Sequence, residues 1–214
     1  MKSFTISVLA ILLPVAFTLG EALPKGFEKE GYIGSLKTSK KADTAQPVNT
    51  ASELIQISRT YMSGVKAENY VGLVTNHRKY GILFKEGSPR ITNGVTTAVN
   101  KEKTEFEYAL HVEVDSPFGG SPYEIDAIGT QKVTYPRKKG GEIVINNDVK
   151  RTEYVSYSNQ TTRVIPWEKG ILIEDRVQIV LKTQTTTASA IKKQLGILFN
   201  RFLDTFREEL GSID

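Results

Sequence analysis

The sequence predicts an α+β domain: an antiparallel, strongly twisted β-sheet of five to seven strands, covered by a long C-terminal amphipathic helix and preceded by one short helix. Three observations carry this. First, the period of the apolar residues changes between Ile171 and Leu210. Ile171, Ile173, Val177, Ile179 and Leu181 share one face of a strand. Ile191, Leu195, Leu198, Phe199, Phe202, Phe206 and Leu210 then follow at steps of three and four, one stripe of a helix. Second, Phe106, Tyr108, Leu110, Val112 and Val114 alternate with Glu107, Ala109, His111, Glu113 and Asp115, the pattern of a sheet covered on one side. Third, turn signals recur roughly every 8–12 residues between them, as an antiparallel meander requires.

The elements follow in order. Met1–Ala22 reads as a secretory signal: Lys2 opens it, Ile6–Phe17 is apolar but for Ser7 and Pro14, and Gly20 and Ala22 offer small residues for cleavage before Leu23. An uncleaved anchor is the alternative, although the apolar stretch is short for a span and contains a proline. Residues 23–49 read as a flexible basic linker, with Pro24, Gly26, Gly31, Gly34, Pro47 and a run of lysines from Lys37 to Lys41. The single folded domain then occupies residues 50–214. Thr50 and Glu53 make a capping box, so 51–63 is expected to be helical until Gly64 stops it. Residues 70–84 are β-branched and aromatic and suggest one or two short strands, with a helix over 67–75 as the alternative.

Beyond the alternating strand, Ser116–Pro122 is a turn-rich loop and Tyr123–Tyr135 a strand. Pro136–Gly141 is a hairpin tip from which Glu142–Ile145 pairs back, and Asn146–Asp148 turns again. Val149–Tyr157 is a strand, Ser158–Gln160 a turn and Thr161–Ile165 a short strand before the one from Ile171. A helix filling the concave side of such a sheet is similar in layout to the helix-grip arrangement of START-like lipid-binding domains. No family motif accompanies the layout.

Composition narrows the chemistry. The 214 residues are 39% hydrophobic and 24% charged, enough for a packed core. A formal net charge of +4 falls short of the dense basic patch of a nucleic-acid binder, so no nucleic acid is expected. Cysteine is absent, which excludes disulfides, thiol nucleophiles and Cys-based metal sites. With His77 and His111 as the only histidines and no metal-binding spacing, both read as surface residues and no metal is expected. Nucleotide-cradling motifs and serine nucleophile elbows are missing as well, so neither a cofactor nor a catalytic residue is assigned.

What remains is a set of candidate ligand contacts. Asp175 falls on the otherwise apolar face of its strand, between Ile173 and Val177. Beside Glu174 and Arg176, such a charge is paired locally, sits where the sheet edge meets solvent or is turned outward by a bulge, or it forms a polar handle at the rim of a cavity. Phe106 and Tyr108 on the alternating strand face Phe199, Phe202 and Phe206 on the helix stripe, either as plain core or as walls of an apolar pocket. Phe118, in the loop Ser116–Pro122, would be the plug of a lid. The tip Arg137-Lys138-Lys139 is a solvated hairpin or a contact for anionic lipid or an acidic protein, and Asn159-Gln160-Thr161 is a glycosylation sequon at an expected turn. The reading that uses most of these features is an exported, non-enzymatic protein holding an apolar or lipid-like ligand between helix and sheet. A secreted structural or assembly protein acting through its surface and basic arm is the alternative. A carboxylate-dependent enzyme is a third.

Overall fold

The computed structural model describes residues 23–24, 27, 33–42, 50–115, 120–151, 155–181 and 200–211. The strands are β1 (Ile33–Ala42), β2 (Thr50–Ser63), β3 (Arg90–Ala98), β4 (Glu105–Val114), β5 (Tyr123–Thr134), β6 (Ile143–Arg151), β7 (Val155–Trp167) and β8 (Gly170–Leu181). They form one eight-stranded sheet in the order β1-β2-β8-β7-β6-β5-β4-β3. Every neighbouring pair is antiparallel. Between β2 and β3 lie α1 (Ala67–Val74) and α2 (His77–Leu83), and residues 200–211 form α3. Because β3 is at the edge remote from β2, the chain must cross the sheet between them. The two helices make that crossing over its inner face, and α3 packs beside them.

The closing strand and helix behave as the periodicities predict. Ile171, Ile173, Val177 and Ile179 are buried, and so are Leu203, Phe206 and Leu210 on α3. The helical residues expected from 191 to 199 lie outside the described residues. A tight ring cluster holds the helices together. Phe84 meets Phe202 with centroids 4.3 Å apart, and Tyr80 meets Phe206 at 5.7 Å. Arg201 seals the edge of this cluster by donating to the carbonyls of Glu86 and Pro89.

Several expectations are corrected. Residues 51–63 are not a helix but β2, whose register with β8 runs from Ser52↔Leu181 to Ser63↔Gly170. A capping box stabilises by about 1 kcal/mol, and twelve paired positions outweigh it. Ser58, Thr60 and Met62 form the buried face, so the true period is two. Residues 33–42, inside the expected linker, form β1 and make the sheet larger than five to seven strands. Residues 70–84 belong to α1 and α2 rather than to strands. Ala67, Tyr70 and Val71 are buried at the i, i+3, i+4 spacing of one helical face. Finally, Asn146–Asp148 and Ser158–Gln160 are not turns. They are the middles of β6 and β7, paired with each other as Asn147↔Gln160 and Asp148↔Asn159.

Candidate ligand-binding cavity

Where those misread turns cross the sheet, the inner face is not filled by apolar side chains. A cavity of about 230 Å³ lies there between sheet and helices. Its floor comes from alternate residues of five strands, as pleating dictates: Tyr108 and Leu110 on β4, Ala127 and Gln131 on β5, Ile145, Asn147 and Val149 on β6, Ser158, Gln160 and Thr162 on β7, and Asp175, Val177 and Ile179 on β8. Its cover is Tyr70 and Val74 from α1, His77 and Tyr80 from α2, and Phe202, Leu203 and Phe206 from α3.

A polar row runs through this floor. Gln131 pairs with Asn147 in register and Asn147 with Gln160, so three amides on adjacent strands stand side by side. Gln160 Nε2 then donates to Asp175 Oδ1 at 3.3 Å, and Thr162 Oγ1 donates to the same oxygen at 2.5 Å. At the other end Tyr108 Oη donates to Asn147 Oδ1 at 2.6 Å, while the buried Gln131 Oε1 has no partner among the described residues. Gln131 is only 3% exposed, so its oxygen is a buried acceptor without a donor among the described residues.

Asp175 is 7% exposed, and desolvation raises its pKa above the ordinary 3.8, partly offset by the bonds from Thr162 and Gln160. The sign follows from linkage. The folded chain holds this proton more tightly than the unfolded chain, so the associated stability is full below 3.8 and is lost as pH rises through the folded value. Burial also keeps the phenols protonated. Tyr108 is pushed up to about 12, and Tyr70 and Tyr80 are raised further, Tyr80 donating to the Val74 carbonyl at 2.7 Å. His77 is 2% exposed and is driven down to about 4, again by burial. It is therefore a neutral ring, stacked on Tyr108 with centroids 4.1 Å apart and planes 8° from parallel.

Two glycines make this stack sterically feasible. A Cβ on Gly94 would collide with the His77 carbonyl, and one on Gly129 would collide with the Tyr108 hydroxyl and lie 2.8 Å from the Asp148 carbonyl oxygen. The His77 N–H completes the seat by donating to Thr96 Oγ1 at 2.9 Å.

Of the residues singled out in the sequence, Tyr108, Asp175, Phe202 and Phe206 line the cavity together. Phe106 does not; it is half-buried against the core farther along β4. Phe118 and Phe199 lie outside the described residues. No bulge turns Asp175 outward, because β8 keeps its register with β2 and β7 there. Nor does it pair with its sequence neighbours: Glu174 points to the outer face, where Arg59 binds it at 2.6 Å and Arg163 at 3.0 Å. His77 is a buried residue, not a surface one, since it opens α2 against β4. His111 sits half-exposed on the outer face, 2.8 Å from Asp126, which raises its pKa. Sequence reasoning missed His77, Tyr70, Tyr80 and the amides. The available signal for the amides was period two: Asn147, Gln160 and Thr162 continue the inward phase of Ile145 and Val164.

No protein-family model matches the chain, and comparison with curated proteins gives no match. Solved structures do match in fold. The chain is similar to a STAR-related lipid transfer protein from Xanthomonas axonopodis, at 11% identity and a TM-score of 0.52, over 85% of this chain and 99% of that one. It is similar to the Zhui aromatase/cyclase from a Streptomyces species, at 10% identity and a TM-score of 0.54, over 74% and 94% of the two chains. It is also similar to the protein TTHA0849 from Thermus thermophilus, at 9% identity and a TM-score of 0.55, over 73% and 96%. The helix-grip, START-like layout expected from the sequence is the layout of this fold.

Proposed function

We propose that this chain is an exported binding protein that encloses an apolar small molecule or lipid-like ligand between its helices and the inner face of its sheet. The observation that carries this is the cavity of about 230 Å³ at the position a packed core would occupy, with aromatic walls and one polar row across its floor. That is the anatomy of a ligand site: apolar surface for affinity and a few fixed polar groups for orientation. The Xanthomonas protein is named for lipid transfer, which supports the same use of the fold. Lys2, the apolar run Ile6–Phe17 and the small residues Gly20 and Ala22 support export. One observation favours a second reading, chemistry on the bound molecule: Asp175 is a buried carboxyl facing the cavity, and desolvation raises its pKa. The Streptomyces protein, an aromatase/cyclase by name, fits that reading.

Filling the cavity tests the proposal. Ala127 lines it, and Ala127→Phe adds a ring there. The neutral dye prodan is expected to bind one per chain with blue-shifted emission, and the variant to bind it roughly tenfold more weakly or worse. Both proteins should keep the same circular dichroism and cooperative unfolding. Equal binding by the two, or none by the unaltered protein, would sink the proposal.

A further inference from the structure

We infer that the ligand is a cation: an aromatic or alicyclic amine whose ammonium group is received by Asp175 while its apolar body fills the aromatic part of the cavity. This rests on the proposed binding function and adds the chemical class of the occupant.

The first ground is charge. Asp175 is the one charged residue type in the cavity lining, and no lysine or arginine lines it among the described residues. Arg176, next to Asp175 in sequence, is exposed on the opposite face of β8, and the guanidinium groups on the two flanking strands are committed elsewhere. Arg163 binds Glu142 and Glu174 on the outer face, and Arg59 binds Glu174 there too. Among the described residues this carboxyl, 7% exposed, has only neutral hydrogen-bond donors and no counter-ion. A ligand ammonium supplies one. A carboxylate ligand would bring a like charge into the same low-dielectric space.

The second ground is hydrogen-bond inventory. Both bonds to Asp175 end on Oδ1, and among the described residues Oδ2 receives none. Gln131 Oε1, at the far end of the polar row, is buried and unpartnered among those residues. Thr162 and Tyr108 spend their hydroxyl protons on Asp175 and Asn147. An ammonium group has N–H to give, which is what an open carboxylate oxygen lacks.

The third ground is the wall. Tyr70 and Tyr80 line the same cavity as Asp175, and Phe206 packs against each of them. A cation held by a carboxylate beside aromatic rings gains from the negative ring faces as well.

Three probes with one body separate the possibilities: naphthylethylamine, naphthylethanol and naphthylacetate, titrated calorimetrically into the purified full chain at neutral pH. The amine should bind about tenfold or more tightly than the alcohol, the gain expected of a charge-assisted bond to a buried group, and the acetate most weakly. In Asp175→Asn the amine should fall to the level of the alcohol, whose own affinity changes by less than about threefold. If the alcohol or the acetate equals the amine in the unaltered protein, or the preference survives Asp175→Asn, the inference is wrong while the cavity reading stands. If none of the three binds, the binding function itself fails and the inference with it. The ranking in the unaltered protein decides the matter even if the variant does not fold.

Discussion

Asp175 and His77 face one cavity, and burial pushes them in opposite directions. The carboxyl keeps its proton to higher pH, whereas the imidazole refuses one until about pH 4. Both changes favour the neutral form, as expected where water is excluded. For His77 the folded value lies below the ordinary 6.5, so the unfolded chain binds the proton first. Stability from this group is full above 6.5 and is lost as pH falls from 6.5 towards 4, by about 3 kcal/mol in total. His77→Phe keeps a flat ring on Tyr108 and removes the titration. Its denaturation free energy relative to the unaltered protein should therefore improve by about that amount between pH 7 and pH 4. Parallel profiles for the two proteins would mean that His77 is not buried as a neutral base. Asp175 was legible in the sequence because it interrupts an apolar alternation. His77 was not, because a lone histidine reveals its burial only once its helix is placed.

At the scale of elements, legibility followed regularity. β4, β8 and the final helix have one period each and were readable from it. β2 was not, because Thr50 and Glu53 imitate a helix start and Ser58 and Thr60 put polar groups on its buried face. β6 and β7 were cut short for a related reason. Asn, Asp and Ser normally mark turns by bonding to local backbone, yet here Asn147, Ser158 and Gln160 point into a cavity. Thus the residues that build the candidate site are the ones that disguised its strands. A glycine comparison tests the inner face of β5. Gly129→Ala should cost about 1–3 kcal/mol by forcing Tyr108 off Asn147. Gly72→Ala, where a methyl meets nothing within 4 Å on α1, should instead stabilise by about 0.5–1 kcal/mol. Urea unfolding reads both, and equal effects at the two positions would contradict the close approach of Tyr108 to β5.

The whole molecule is a sheet whose last strand, β8, returns to pair with β2, and whose helices cross the inner face to reach the far edge at β3. That path covers the inner face of the middle strands with helices, which reach the floor where His77 stacks on Tyr108. The aromatic cluster of Tyr80, Phe84, Phe202 and Phe206 holds the cover together without filling the space below. At this scale the cavity is expected to be occupied. Native mass spectrometry of the chain produced through a secretory pathway tests it most directly, with organic extraction of the same sample. A protein mass beginning at Leu23 and carrying one small-molecule adduct per chain is expected. Extraction should remove the adduct, and Ala127→Phe should prevent it. A bare mass, unchanged after exposure to a mixed lipid and amine extract, would contradict the account and leave a protein that works through its surface.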